Sequence, residues 1–360
     1  MRMFASRFCL SLFLFVAAAA CCAAEECPDL PESSKGITDE TGTPLHLVQP
    51  PKLIVTPFDD GLYWAADGIY QNMFMVGDSG VIVVDAPPNF FQTTPNLVEA
   101  IAGVTDKPIT HLVYSHFHRD HIGAANEVAK AFPDVKIVAN EKTKELIQAA
   151  QRRNQDDPRP LPTVTFEQDA LLAKDGTLRE GGYPRDGKGR AKLAEFTGLT
   201  LTSGKFHGDG DLFIMAPAQR VMYVVDLIFP GFSPFSRLAI TRDVGEFLDA
   251  HDTLLDFDFD TLVAGHLTRL GTKEDIRTQK AYMESIVAGA RKGLAEAQFG
   301  PDNSEPCYLA DPFNAVLDYL DRVLDICTKE VVAEWKGKLG AVETFTRAHC
   351  DTIQTYLRVD

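Results

Sequence analysis

The chain has 360 residues, 45% of them hydrophobic and 24% charged, which suits a globular protein of one large or two ordinary domains. With 51 acidic and 35 basic side chains its formal net charge is −16, which repels polyphosphate backbones and argues against nucleic acid as a partner. Acidity of this size otherwise serves solubility and names no substrate.

In chain order, Met1 to Arg7 carry two arginines and no acid, and residues 8–24 (FCLSLFLFVAAAACCAA) are apolar and uncharged. Cys22 and Ala24 supply small residues at the −3 and −1 places of a cut before Glu25, the pattern of a secretory signal peptide over 1–24. The run is shorter than the ~20 residues of a spanning helix, so no stable membrane insertion is expected after its removal. A lipoprotein-type cut before Cys21 is the lesser alternative, since Ala18 stands where an aliphatic residue is usual. A secreted or periplasmic protein is therefore expected. Loss of the two arginines takes its charge from −16 to −18. Of seven cysteines, Cys9, Cys21 and Cys22 fall in the leader, leaving Cys27, Cys307, Cys327 and Cys350. In an oxidising compartment these suggest two disulfides. The preferred pairing joins Cys327 to Cys350 across a helical hairpin and leaves Cys27 with Cys307; free thiols are the alternative.

Residues 25–51, rich in Pro, Glu, Thr and Gly, read as an N-terminal arm. From 52 onward, KLIVTPF, LYWAAD, YQNMFMVG and GVIVVDAP are short apolar or alternating runs that predict consecutive strands, with a hairpin turn at GDSG (77–80). A helix over about 94–104 precedes a strand, ITHLVYS, and helices are expected at 123–131 and 141–152 around a strand VKIVAN. Residues 153–195 hold little apolar material and are expected to be a surface insertion. A second strand-rich block (GLTLTSGKFH, DLFIMAP, RVMYVVDLIF) leads to a helix near 244–255, a short buried strand FDTLVAGH, and a long amphipathic helix over 272–296. Helices are expected again over 312–335 and 341–357. Strands then helices, twice over, imply two sheets with helices outside them. The domain is placed at 52–299, with a helical C-terminal extension at 300–360.

The stretch YSHFHRDHIG (114–123) puts His116, His118, Asp120 and His121 in a loop between a strand and a helix. Alternate residues of an extended backbone share a side, so His116 and His118 can meet one ion, and Asp120 and His121, past the bend, a second. Imidazole and carboxylate are ligands that Zn²⁺ accepts without sulfur. Three further candidates stand at strand ends: His207 after LTSGKF, with Asp209 and Asp211 beside it; Asp226, closing VMYVVD; and His266, closing TLVAGH. A carboxylate after such an apolar run is costly unless paired or metal-bound. His46, His111, His251 and His349 fit no motif and are expected to be surface or packing residues. Asp85, in VVDAP, is expected to support a histidine ligand from behind.

At these residues the sequence resembles the metallo-β-lactamase-fold hydrolases. HFHRDH fits their H-x-H-x-D-H signature, HGDGDL their third-histidine loop, VVDLIF their bridging-aspartate strand, and AGHLTRLGTKED their final-histidine segment. The resemblance covers about 52–296. It implies an α+β fold, a four-layer αββα sandwich with a dinuclear zinc site between the sheets. His116, His118 and His207 would hold one ion, Asp120, His121 and His266 the other, and Asp226 would bridge them. Manganese or iron would also accept these ligands.

Such a site implies hydrolysis of a small ester, lactone or related molecule by a metal-bridging hydroxide, with Asp120 orienting it and passing a proton. True β-lactamases of the family carry Cys or Ser where this chain has Asp226, which lowers a β-lactam as the main substrate. Phosphodiesters and sulfates remain alternatives on the same site. Readings of another class are an iron-dependent oxidoreductase and a non-catalytic metal-binding protein; the full ligand set argues against the second. The helical extension is expected to pack on the domain, with a cover over the site or a homodimer contact as its other roles.

Overall fold

The computed structural model describes residues 53–88, 96–181, 196–267, 269–298 and 311–359. The leader, the N-terminal arm and the Cys27–Cys307 pairing lie outside them. The described chain forms two sheets. The first runs β1 (Ile54–Pro57), β2 (Leu62–Ala66), β3 (Gln71–Val76), β4 (Val81–Val84), β5 (Ile109–Val113), β6 (Lys136–Asn140) and β7 (Val164–Phe166) in sequence order. It is antiparallel as far as β4 and parallel beyond it. The turn at 77–80 closes as expected, Gly77 donating to the Gly80 carbonyl. The parallel half needs crossovers, which α1 (Leu97–Ala102), α2 (Arg119–Ile122), α3 (Ala125–Ala131) and α4 (Glu141–Arg153) supply.

The second sheet comprises β8 (Ala170–Ala173), β9 (Leu178–Glu180), β10 (Gly198–Gly204), β11 (Asp211–Ala216), β12 (Val221–Tyr223) and β13 (Thr261–Val263), in the order β13-β12-β11-β10-β8-β9. Side-chain alternation on each strand assigns two cores. Met73 and Met75 on β3, with Leu212 and Ile214 on β11, fill the space between the sheets. Phe74, between the two methionines, instead joins Ile122, Val128 and Ile147 in the core under α2–α4. Phe213 and Met215 meet the other helical layer, α5 (Val244–Asp256), α6 (Lys273–Glu296), α7 (Pro312–Trp335) and α8 (Val342–Val359). The architecture is thus the αββα sandwich with a helical C-terminal region.

Residues 153–181 correct the expectation of a surface insertion. They carry β7 of the first sheet and β8 and β9 of the second. Leu172 is fully buried between the sheets. VTF (β7) is the edge strand of the first sheet, while ALLA (β8) is paired on both sides, by β10 and by the edge strand β9. The polar residues between α4 and β7 hid a buried ion pair: Arg159 and Asp157 lie against each other with side chains 3% and 2% exposed. Residues 182–195 lie outside the described part.

The C-terminal helices have local reasons to start where they do. Pro312 occupies the first turn of α7 behind Asp311, whose carboxylate accepts from the Asn314 amide. A capping box of Thr272 and Asp275 starts α6. Gly293 lets α6 and α7 approach closely, since a Cβ there would stand 2.5 Å from the Val323 carbonyl oxygen. Cys327 of α7 is bonded to Cys350 of α8, as the cysteine spacing predicted, with Cα atoms 6.1 Å apart. Closing a loop of 23 residues' separation restricts the unfolded chain by about 3 kcal/mol. A Cys327→Ala/Cys350→Ala chain is therefore expected to lose about that much unfolding free energy in urea titrations. A loss under about 1 kcal/mol would mean the helices are held by packing alone.

One segment departs from every expectation. Arg237, Leu238, Ala239 and Ile240 have φ between 54° and 62°, a left-handed turn made without glycine. Each such residue costs roughly 1–2 kcal/mol. The turn is held from outside itself: Leu238 is buried in the helix-side core, the Ala239 amide donates to the Phe235 carbonyl, and the Thr241 hydroxyl donates to the Phe206 carbonyl.

Candidate metal centre

Every candidate ligand stands at or just beyond a strand end on the same rim of the sandwich. His116 and His118 follow β5, with Asp120 and His121 in α2, whose N-cap is His118. His207 follows β10, Asp226 follows β12 and His266 follows β13. The two sheets are tied together beside them, the Leu212 amide donating to the Ser115 carbonyl at 3.0 Å. Backbone strain gathers here too: Asp226 has φ 60°, and Asp85, at the end of β4, has φ 59°.

The seven side chains form two groups. Donor atoms of His116, His118, His207 and Asp226 lie within 4.8 Å of one another, and so do those of Asp120, His121 and His266. Asp226 faces both. Its Oδ2 is 3.4 Å from His116 Nε2 and 3.2 Å from His207 Nε2, while Oδ1 is 3.4 Å from His121 Nε2 and 2.8 Å from His266 Nε2. Burial alone would raise the pKa of Asp226, but the imidazoles around it hold the carboxyl well below its ordinary value. Burial, with neighbouring imidazoles, pushes His118 down to about 2, and burial pushes His207 down to about 4. Both are neutral near pH 7 and offer lone pairs. His266 is only partly buried; desolvation would lower it, yet its contacts with Asp226 and Asp120 leave it raised.

Cations fit this arrangement. His207 Nε2 stands 2.7 Å from His118 Nδ1, and His121 Nε2 stands 3.1 Å from His266 Nε2, so lone pairs of buried and half-buried rings converge. His116 Nε2 is buried without a hydrogen-bond partner. Nitrogen atoms so placed repel unless a proton or a metal ion lies among them, and the donor set of imidazole and carboxylate suits a borderline divalent ion.

Neighbouring polar groups fix the loops. Asp211 sits 1% exposed and accepts from the His207 and Gly208 amides at 2.6 and 2.7 Å; burial raises its carboxyl to about 7. Asp209 is exposed, so of the three candidates in this loop it is His207 that joins the cluster. Asp85 is fully buried, accepting from the Ser115 amide and the Tyr223 hydroxyl. Among the described residues its hydrogen-bonded link to a histidine runs through Ser115, whose Oγ is 3.0 Å from His116 Nδ1, which modifies the direct support expected for it. His111, His251 and His349 are buried packing residues; His46 lies outside the described part.

Two contributors escaped the sequence. Tyr70, between β2 and β3, packs edge-on against His121 and donates its hydroxyl to Asp120, which together with burial holds the phenol protonated. Its place is set by the Leu267 amide donating to the Ile69 carbonyl and the Gln71 amide to the Gly265 carbonyl. Arg159 donates to the carbonyl of Phe117, the residue between His116 and His118. Neither belongs to a motif, because each reaches the loop from a distant part of the chain. The cluster opens into a cavity of about 590 Å³ with a largely apolar wall.

A two-sheet sandwich with a histidine–aspartate cluster at one rim is the form of a metallo-β-lactamase-type domain. The family model described as the metallo-beta-lactamase superfamily matches residues 66–266, more than half of the chain, and the chain belongs to that superfamily. Over 244 residues it is 27% identical to 2,4-dinitroanisole O-demethylase subunit alpha of Nocardioides sp. (strain JS1661). That alignment covers 67% of this chain and 65% of the subunit, so the chain spans just under two thirds of that relative. Among solved structures, a metallo-beta-lactamase from Pontibacter korlensis superposes with a TM-score of 0.46 at 17% identity, covering 64% of this chain and 97% of that one. The protein VMB-1 gives a TM-score of 0.47 at 15% identity, with 64% and 96% covered.

Proposed function

We propose that the protein is a metal-dependent hydrolase that cleaves a small ester, lactone or related C–O bond with two divalent ions, zinc being the expected metal. Superfamily membership and the histidine–aspartate site support a metal-dependent hydrolase. The observation that carries the two-ion reading is Asp226, one carboxylate turned by its two oxygens toward two groups of imidazoles. His116, His118 and His207 would hold one ion, Asp120, His121 and His266 the other, with Asp226 shared between them. Divalent ions there supply water of lowered pKa and polarise the oxygen of the bond under attack.

The chain's own groups do the rest. Asp120, with its side chain 40% exposed, is the carboxylate of the cluster that opens furthest to the cavity. It is placed to take a proton from the attacking water and return it to the leaving group. Tyr70 orients that carboxylate by donating to it. The relative named as a dinitroanisole O-demethylase acts, by that name, on an aromatic methoxy compound, which favours a C–O bond as the target here. Two observations are consistent with an exported protein: the Cys327–Cys350 disulfide, and the absence among the described residues of any helix long and apolar enough to cross a membrane.

Elemental analysis of the purified chain, run beside a panel of lactone, aryl ester, aryl ether, β-lactam, phosphodiester and sulfate, tests the reading. About two ions per chain and chelator-sensitive turnover of an ester, lactone or ether are expected. Iron with no hydrolysis would favour redox chemistry, and a metal-free chain would remove the ligand assignment. Tyr70→Phe is expected to keep its metal and lose about tenfold in kcat, the worth of one hydrogen bond to a charged group. An unchanged kcat would take Tyr70 out of the reaction.

A further inference from the structure

The wall of the cavity comes partly from beyond residue 266, where the match to the superfamily ends. Ala341 and Phe345, at the start of α8, line it, together with Phe229, Phe232 and Phe235 from the loop after β12. The two segments are stitched together. The Ser233 amide donates to the Gly340 carbonyl, and the Gly340 amide donates to the Gly231 carbonyl, each at 2.9 Å. A Cβ at position 340 would fall 2.5 Å from the Phe232 ring, so the approach depends on glycine. Further along α8, His349 Nε2 lies 3.2 Å from the Phe235 carbonyl, and its Nδ1 lies 3.0 Å from the Tyr282 hydroxyl. The Phe345 and Phe235 rings are 5.2 Å apart in an edge-on arrangement, and Phe235 is 50% exposed at the mouth.

Charge narrows what such a wall receives. Among the described lining residues, Arg119 is the one lysine or arginine, and the carboxylates, Asp120 and Asp226, both belong to the metal cluster. An anionic or cationic substituent held away from the cluster would lose water and gain no fixed partner on the phenylalanine side. Aromatic rings in edge-on order favour a flat apolar group inserted among them. About 590 Å³ lies within the range of small-molecule sites.

We infer that the substrate is a neutral ester, lactone or ether bearing an aromatic or similarly flat apolar group, and that Phe345 of the C-terminal extension is the specificity-determining residue that seats it. This rests on the hydrolase reading for the reacting bond, and on the cavity wall alone for the seat. The extension is then part of the substrate site.

The test uses the full metal-loaded chain and two readouts. Binding of the neutral fluorophore N-phenyl-1-naphthylamine is measured for the unsubstituted protein, Phe345→Leu, Phe345→Ser and, as an exposed apolar control, Phe313→Ser. Affinity is expected to fall about threefold in the leucine variant and at least about tenfold in the serine variant, as apolar contact is lost, and to stay unchanged in the control. KM on the unsubstituted protein is compared for 2-naphthyl acetate and its 6-carboxy derivative, with at least a tenfold preference for the neutral ester expected on the same ground. This arm does not depend on any variant folding. Equal probe binding by the serine variant, or equal KM for the two esters, would overturn the proposal. Graded probe binding without turnover of any ester, lactone or ether would leave the seat standing and remove the hydrolase reading.

Discussion

Asp226→Asn is expected to lower turnover by on the order of 10³-fold and to bring the metal content from about two ions per chain to one or fewer. Asparagine keeps the shape of the carboxylate but not its charge, and the amide nitrogen is no ligand for a divalent ion. The position is 5% exposed and ringed by His116, His121, His207 and His266, so no water replaces the missing charge readily. Several kcal/mol of transition-state stabilisation by the ions would be withdrawn, which sets the size of the effect. Because both oxygens are engaged, the two sites should weaken together. Elemental analysis and steady-state kinetics on the same preparation check this. A variant that keeps two ions and more than about a tenth of its turnover would deny Asp226 the role of shared ligand.

Arg159→Met is expected to destabilise the chain by about 3–5 kcal/mol at pH 7, because Asp157 keeps its charge in a buried place without its partner. The same substitution frees the Phe117 carbonyl, so metal affinity is expected to drop about 10- to 100-fold as the histidine loop loosens. Hydrogen bonds from Arg159 hold the Asp157 carboxyl below its ordinary value. A carboxyl depressed in the folded state contributes stability that is present above its unfolded pKa, ~3.9, and fades as pH falls through the folded value. The gap between the parent and Arg159→Met is therefore widest at neutral pH and shrinks below about pH 4. Urea titrations at pH 7 and pH 3.5 read it directly. Adding Asp157→Leu should recover much of the loss, since a buried pair replaced by apolar groups is nearly neutral. A gap under about 1 kcal/mol at pH 7 would place this pair among the inconsequential ones.

What the sequence disclosed followed from locality. The candidate ligand positions were visible because each stands where an apolar run stops, and α7 was bounded at Pro312 and Trp335 by its proline and its apolar spacing. The disulfide was visible because both cysteines lie on one helical hairpin. What stayed hidden was long-range or against local preference. Strands β7, β8 and β9 are three or four residues each, too short for a period to show. Arg159 looked like solvated charge because its acid lies two residues away and its carbonyl partner 42 residues back. Tyr70 sits among the cluster through the bridge it forms with His266, a contact no spacing encodes. A cover over the site was one of the roles open to the helical extension, but Phe345 could not be singled out, since it belongs to a stripe that otherwise packs.

The turn at 237–240 has a consequence for how this fold can be altered. Four L-residues stand there in a conformation they disfavour, and the bonds that keep them there come from Phe206, from the core around Leu238 and from α8 by way of Phe235 and His349. Such a rim has no shape of its own to carry elsewhere. Grafted into a relative without the last two helices, residues 236–241 should relax to an ordinary turn and take Ala239 and Ile240 out of the wall. Moving the rim therefore means moving the helices behind it and the His207 loop with it, since the Thr241 hydroxyl donates to the Phe206 carbonyl and the Arg242 amide to the His207 carbonyl.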